Sequence, residues 1–457
     1  MSFTEEARKD FQMEKKGKVQ IAVVGGGASG LAAAVSAARE LGNGTVCVFD
    51  RNEKPGKKLA ATGNGRCNVT NVRCCGEDYG KGRLFTSDRG GESGEETARF
   101  ASFALEHFGV QDTLRFFESM GLLLREEDEG RVYPYSGQAV SVVNAFQEAL
   151  KQNRVSWLGG SPITAVEESS AGEGFRLVRE NGDVFQSEAF ILAVGGKAGG
   201  CYGSIGDGYR MARAFGHSLI STVPALVQLT TEEPVCKSLK GVRVKSAVKL
   251  ICTENGFDGD VLARSEGEVQ FADRALSGIC IFDLSRSFPG RGRDVCVELD
   301  IFPGFDTEVL TGILRRHCLA LGKRPADDLF SGLMNEKLAR VYRDRWCKRN
   351  GRPETKGGLP AECLTEEQLR DLTHLLKAWR IPVTGTKGWA EAQVTAGGIP
   401  VAEVDPRTMG SRCREGLYLA GELLNIDGPC GGWNLQWAWT SGCIAGKSAA
   451  LYVKKKR

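Results

Sequence analysis

Gly25-Gly26-Gly27-Ala28-Ser29-Gly30 is the segment that most limits what this chain can fold into. It follows Val19–Val24, a short apolar run that reads as a buried parallel strand. It precedes Leu31–Leu41, an Ala-rich run that reads as a helix. In a G-x-G-x-x-G so placed, Gly25 permits the tight turn, Gly27 lets the backbone approach a pyrophosphate, and Gly30 lets helix and sheet pack closely. The helix start, with Ala28 and Ser29, offers free N–H groups and the positive end of its dipole to phosphates. A second β-rich run, Thr45–Phe49, ends at Asp50, about 20 residues beyond Gly30, where a carboxylate takes ribose hydroxyls. The opening predicts a βαβ unit and an α/β fold of the Rossmann type.

The texture changes along the chain. Arg73–Glu96 is rich in glycine and charge and reads as an exposed excursion. Helices are expected near Thr97–Phe108, Val110–Met120 and Val140–Lys151. Short strands follow from Trp157, with a hairpin at Asn181-Gly182, and end in Ala189–Val194 and the Gly195-Gly196 turn. Many short β-rich runs between Leu219 and Leu299 suggest a barrel or sandwich. Thr307–Leu321, Asn335–Lys348 and Thr365–Trp379 look helical. Strand–glycine–helix texture returns from Ala392. The expected domains are therefore a discontinuous nucleotide-binding domain (18–197 and 390–457), a β-barrel-like substrate domain (198–304 and about 350–389) and a helical subdomain (305–349).

The returning segment identifies the nucleotide. Gly416–Glu422 is a strand running into a glycine and an acid, and Gly431-Gly432-Trp433-Asn434-Leu435-Gln436 opens a helix through Ala445. Two-segment FAD folds use such a strand end at the ribityl–phosphate part and such a helix N-terminus at the flavin edge that gathers negative charge on reduction. The reading is non-covalent FAD. The run Gly56–Asn68, with Lys57, Lys58 and Arg66, suits a loop against flavin and pyrophosphate.

Composition narrows the setting. With 60 basic and 57 acidic residues the net charge is +3, which gives no general attraction to nucleic acid or to an anionic membrane. Met1–Lys18 has no apolar stretch, so no secretory signal is expected there. Fifteen cysteines without framework spacing point to reduced thiols in a cytoplasm. No C-x-x-C occurs and only four histidines, so neither a metal site nor a redox dithiol is expected. Trp433 and Trp437 have i, i+4 spacing and read as core, with Trp433 also a pocket candidate. Cys67 reads as a small packing residue, and Tyr202 is a weak candidate proton donor.

Asp50–Asn71, Gly195-Gly196-Lys197, Gly206-Asp207-Gly208-Tyr209, Pro224–Val227 and Gly421–Gln436, with Arg131–Pro134 and Val394–Gly398, together resemble the BaiN-like (YhiN-like) FAD-dependent oxidoreductase family over nearly the whole chain. The resemblance implies a glutathione-reductase-like fold with an inserted β-barrel and helical domain. It implies FAD contacts at the first glycine loop, Asp50, Arg51, Lys58, Gly63, Asn64, Arg66, Cys67 and Asn68. Further contacts are implied at Val166, Ala193, Gly195, Gly421, Glu422, Asn434, Leu435 and Gln436. Family members reduce conjugated C=C bonds of 3-oxo bile acids or oxidise small amines. The chain departs from the family pattern at Ala198–Tyr202, Asp273, Ile279, Asn425 and Trp433.

The expected function is transfer of hydride from NAD(P)H through FAD to an enone of a steroid or bile-acid-like substrate. A small-amine oxidase using O₂, with Asp273 as the amine's partner, and a non-catalytic flavin redox sensor are the alternatives. The expected partner is a small molecule, without nucleic acid or membrane.

Overall fold

The computed structural model describes residues 16–80, 93–169, 174–253, 259–290, 293–350 and 359–457. The N-terminal segment to residue 15 and residues 81–92 of the expected excursion lie outside them. The chain divides into two compact units, Met1–Ala225 with Trp389–Arg457, and Leu226–Gly388.

The first unit opens as the sequence predicts. β1 (Lys16–Val24) leads through the glycine turn into α1 (Ala28–Leu41), and β2 (Val46–Phe49) returns beside β1. The hydrophobic residues of β1 and β2 are buried on both faces, as a parallel strand covered by helices requires. Helices Gly94–His107, Val110–Glu118 and α2 (Ala139–Gln152) follow, each within a few residues of its expected bounds. Then come β3 (Ser156–Leu158), β4 (Ile163–Glu168), β5 (Phe175–Arg179) and β6 (Val184–Leu192). Asn181-Gly182 makes the β5–β6 hairpin, with Gly182 at φ +87° and the Arg179 N–H donating to Asp183 O at 2.9 Å. α3 (Asp207–Arg213) and β7 (Ile220–Ala225) complete the first pass.

The second unit is built on β8 (Leu229–Thr230), β9 (Arg243–Cys252), β10 (Val261–Ala272), β11 (Ala275–Ser277) and β12 (Val295–Asp300). Helices α4 (Thr307–Leu321), α5 (Glu336–Arg349) and α6 (Glu366–Lys377) come next, then β13 (Trp379–Val383) and β14 (Gly385–Thr386). All pairings in this sheet are antiparallel. Its order is β13-β12-β9-β10-β11-β8-β14. The terminal strands β13 and β14 are separated only by Thr384, whose N–H donates to Thr230 O at 2.8 Å. One strand therefore joins both ends of the sheet and curls it into a barrel. The helices do not form a unit of their own: the hydroxyls of Thr311 on α4 and Thr373 on α6 meet at 2.9 Å in a buried seam, and α6 runs directly into β13.

The chain then re-enters the first unit through β15 (Val394–Gly398), β16 (Leu417–Leu419) and α7 (Trp433–Lys455). The parallel order becomes β16-β6-β1-β2-β3. The expected boundary after Lys197 moves to Ala225, because β7 pairs antiparallel with β15 inside this unit. α7 lies directly on α1. A Cβ on Gly442 would stand 2.3 Å from Ser29 O, and one on Gly446 2.2 Å from Ala33 O. Only hydrogen fits there.

Candidate cofactor site

Four glycines open the site, and their surroundings separate their roles. A Cβ on Gly25 would lie 2.4 Å from Ala193 O, on Gly26 2.3 Å from the Trp157 ring, and on Gly30 1.8 Å from Gly25 O. Those three are required by the protein's own packing. A Cβ on Gly27 meets nothing within 4 Å, so the protein itself does not explain that glycine. The helix it begins, α1, has no side-chain N-cap and no acid in its first turn.

Asp50 closes the loop from below. Its Oδ2 accepts from the Gly26 N–H and its Oδ1 from the Asn52 N–H, both at 2.6 Å. A carboxylate has about four lone-pair sites, so acceptor capacity for ribose hydroxyls remains. Arg51 pairs with Asp207 at the start of α3. Val166 is buried on β4, and Ala193 donates its N–H to Val24 O at 2.8 Å. Gly195, at φ +75°, comes within 3.4 Å of Ser204 Oγ through its notional Cβ.

Lys58 gathers the middle of the site. Its Nζ donates to Ala198 O at 3.0 Å and to Glu422 Oε2 at 2.8 Å. Glu422 Oε1 accepts from the Thr395 N–H at 2.8 Å, and Thr395 Oγ1 accepts from the N–H groups of Lys197 and Ala198. Lys58 and Glu422 are thus an internal tie across both chain segments, with Thr395 as a hub the sequence did not single out. Tyr209 was also missed except as part of a motif. Its hydroxyl is buried without a partner among the described residues, and burial, then the Glu422 charge, raise its pKa.

In the loop from Thr62 to Asn68, Gly63, Asn64, Gly65 and Cys67 all take positive φ. Arg66 is engaged by Glu127 at 2.6 Å and stacks over the Tyr133 ring at 4.2 Å. Burial pushes the Cys67 thiol up to about 12, against a smaller lowering by a Thr62 hydrogen bond, so it is a packing residue and no nucleophile at neutral pH. Asn68 is buried, with its Oδ1 unpartnered among the described residues.

Gly421 touches the first loop, because its Cβ would stand 2.4 Å from Ser29 Oγ. α7 begins at Gly432 (φ +115°), again with no side-chain cap and no first-turn acid. Two implied cofactor residues have their side chains spent inside the protein. Asn434 clamps the preceding loop through Gly428 N–H, Gly428 O and Pro429 O. Gln436 accepts from Thr70 and donates to Thr113 and Thr440. With Leu435, half-buried against the core, they leave first-turn backbone N–H groups as this helix's donors. Trp437 is buried core, as expected, and Trp439 is buried beside it. Trp433 is half-buried, its Nε1 donating to Asp78 at 2.9 Å. Tyr202 stands beside the Asp50 turn, its carbonyl accepting from Asn52 Nδ2 at 3.1 Å.

These residues fit FAD. The unexplained Gly27 and two uncapped helix starts offer N–H donors to a dianionic pyrophosphate and a polar ring system, and the orphaned Asn68 Oδ1 offers a buried acceptor. Elsewhere, His217, Glu403 and Cys413 could gather as metal ligands. Ser411 Oγ accepts from the Cys413 and Arg414 N–H groups, so its hydroxyl proton goes to His217 Nε2 at 2.7 Å. His217 Nδ1 then carries the proton and gives it to Glu403 at 2.8 Å, an arrangement closed by hydrogen bonds. No helix among the described residues is long and apolar enough to cross a membrane.

The model of the HI0933-like protein Rossmann domain matches residues 19–448. A 3-dehydro-bile acid delta(4,6)-reductase of Clostridium scindens is 36% identical over 435 residues, covering 94% of this chain and 99% of the relative. A ribosomal RNA dihydrouridine synthase of Escherichia coli is 27% identical over 425 residues, covering 92% and 95%. Among solved structures, a 3-ketosteroid-delta4-(5alpha)-dehydrogenase from Rhodococcus jostii RHA1 aligns over 96% of this chain and 98% of its own at 15% identity, with a TM-score of 0.47.

Proposed function

This chain belongs to the HI0933-like Rossmann-domain family of FAD-dependent oxidoreductases, and on that premise we propose that it reduces a C=C bond conjugated to a carbonyl in a 3-oxo steroid or bile-acid-like substrate, with NAD(P)H as reductant. The observation that carries this reading is the 36% identity, over almost the full length of both chains, to a bile-acid enone reductase. When bound, FAD supplies the two-electron transfer chemistry. The chain's residues do the rest. The N–H groups around Gly27 and the start of α1 hold the pyrophosphate, and Asp50 holds the ribose. The Lys58–Glu422–Thr395 tie fixes the turn at 195–198 against both segments. The first-turn N–H groups of α7 stabilise negative charge gathering at the ring edge. Asn68 Oδ1, without a partner among the described residues, would be the acceptor for a ring N–H. The test is anaerobic. NADH or NADPH should bleach the yellow protein, and a 3-oxo-Δ4 bile acid should restore the colour. Bleaching by a small amine, with no response to any enone, would move the protein to the amine-oxidase alternative.

A second reading has its own support in the dihydrouridine synthase relatives. The C5=C6 bond of uracil is also conjugated to a carbonyl, so the same electron delivery serves a nucleobase. Recovery of colour with uridine-containing RNA and not with the bile acid would select it.

A further inference from the structure

Charge in this protein is unevenly placed. α5 carries Lys337, Arg340, Arg343, Arg345, Lys348 and Arg349 against Glu336 and Asp344, while the whole chain nets only +3. Leu338, Ala339, Tyr342 and Trp346 are buried. Lys337, Arg340, Arg345, Lys348 and Arg349 instead line a cavity of about 950 Å³ in the second unit, with only Glu233 and Asp344 as acids in its wall. Both acids are already engaged, Asp344 by Arg343 at 2.7 Å and Glu233 by Arg345 at 3.9 Å. Arg340 pairs with the exposed Glu336 and Arg349 with the half-buried Asp371, and surface ion pairs of this kind hold their partners only weakly. Lys337 and Lys348 are exposed and pair with no carboxylate among the described residues.

We propose that this face of α5 binds the phosphate backbone of an RNA strand. A rise of 1.5 Å per residue sets Lys337 and Lys348 about 16 Å apart along the helix. A single carboxylate or one phosphate group would satisfy one end of that stripe and leave the other cations repelling one another. A strand with regularly repeated phosphates meets them all. The cavity wall carries Val235, Val341 and Leu375 but no aromatic ring. Without an aromatic platform the contact is chiefly to the backbone and does not read sequence. This reading revises the expectation of no nucleic-acid partner, which averaged the charge over the chain. It stands on charge placement alone, so it does not depend on whether a steroid or a uracil receives the electrons.

The test uses the flavin-loaded, full-length protein and a fluorescein-labelled, unstructured 20-nucleotide RNA, followed by anisotropy from 50 to 200 mM KCl. Binding should weaken with salt with a log–log slope of about −2 to −3.5, the value for three to five released counterions on a single strand. Lys337→Glu with Lys348→Glu should weaken binding at least tenfold and flatten the slope, with flavin content and melting temperature retained. The milder Lys337→Gln/Lys348→Gln pair covers the case in which charge reversal disturbs the helix. Absence of binding at 50 mM KCl would overturn the proposal. So would affinity unchanged in both variants, or lysine-dependent binding of phosphatidylserine vesicles, NADPH or a bile acid without RNA binding. An inactive enone reaction would leave these outcomes intact.

Discussion

Three helices of the inserted unit begin differently from the two that open onto the glycine turns of the first unit. In the inserted unit, α4, α5 and α6 start on side-chain caps: Asp306 accepts from Val309 N–H, Asn335 from Lys337 N–H, and Thr365 forms a capping box with Gln368. Each also carries an acid in its first turn. In the nucleotide-binding unit, α1 and α7 start on Gly27 and Gly432, with no side-chain cap and no first-turn acid. A cap is worth about 1 kcal/mol and a first-turn acid about 0.3–1 kcal/mol. α2 forgoes both as well, so the missing cap alone marks no ligand. What distinguishes α1 is that Gly27 has open space where a Cβ would stand, which leaves its N–H groups and dipole for something outside the chain. The contrast sets capped starts that serve stability beside glycine starts left for a ligand.

The strongest way to break the comparison is Gly27→Val. We expect at least a hundredfold loss of FAD affinity and a colourless protein, while the apo chain melts near the wild-type temperature, because a Cβ there meets no protein atom. A yellow Gly27→Val protein would place the phosphate elsewhere. Gly30→Ala is the control, and it should fail to fold against Gly25 O. Asp50→Ala should weaken FAD by about 1–3 kcal/mol for the lost charge-assisted hydrogen bonds, measured by flavin fluorescence titration. A weaker effect would leave Asp50 as a tie between Gly26 and Asn52 only.

Ala28→Asp sharpens the contrast, since it supplies the first-turn acid that α1 lacks. The apo protein should gain about 0.3–1 kcal/mol of stability, while FAD binding falls about tenfold through repulsion of the pyrophosphate. Equal movement of both quantities would count against a phosphate at that helix start. The smallest expected effect is Asp306→Ala, costing about 1 kcal/mol in urea unfolding with FAD content unchanged. Loss of flavin in that variant would mean that the two classes of helix start are not separate in function.

What could be read from the sequence follows the range of the forces involved. The Asn181-Gly182 hairpin is fixed by neighbours a few residues away, and the Gly25–Gly30 turn and Asp50 belong to one local strand–turn–helix–strand unit, although Ala193 and Trp157 also pack against the turn; all stand where the sequence put them. Gln436 shows the opposite case. Whether its amide meets a ligand or Thr70, Thr113 and Thr440 depends on residues hundreds of positions distant, and spacing carries no sign of that. The same holds for Thr395 and for residues 198–225, whose β7 belongs with β15 because of pairing across the whole insertion. Asn68 was legible by type and place, but only its unpartnered oxygen distinguishes a waiting acceptor from a buried structural amide.

The glycine seam between α1 and α7 has a consequence for how the protein is made. Ala33 emerges from the ribosome early, and Gly446, which must lie against it, is made more than 400 residues later. Translation at about 5–20 residues per second puts roughly 10–45 s between residue 226 and Gly446. During that interval the inserted unit, contiguous in sequence, can complete its own barrel. The first 225 residues meanwhile hold an Ala-rich helix face with nothing to cover it, a natural stopping place for a chaperone. A chain halted at residue 400 should therefore bind a hydrophobic dye strongly and retain no flavin, and completing it should reverse both.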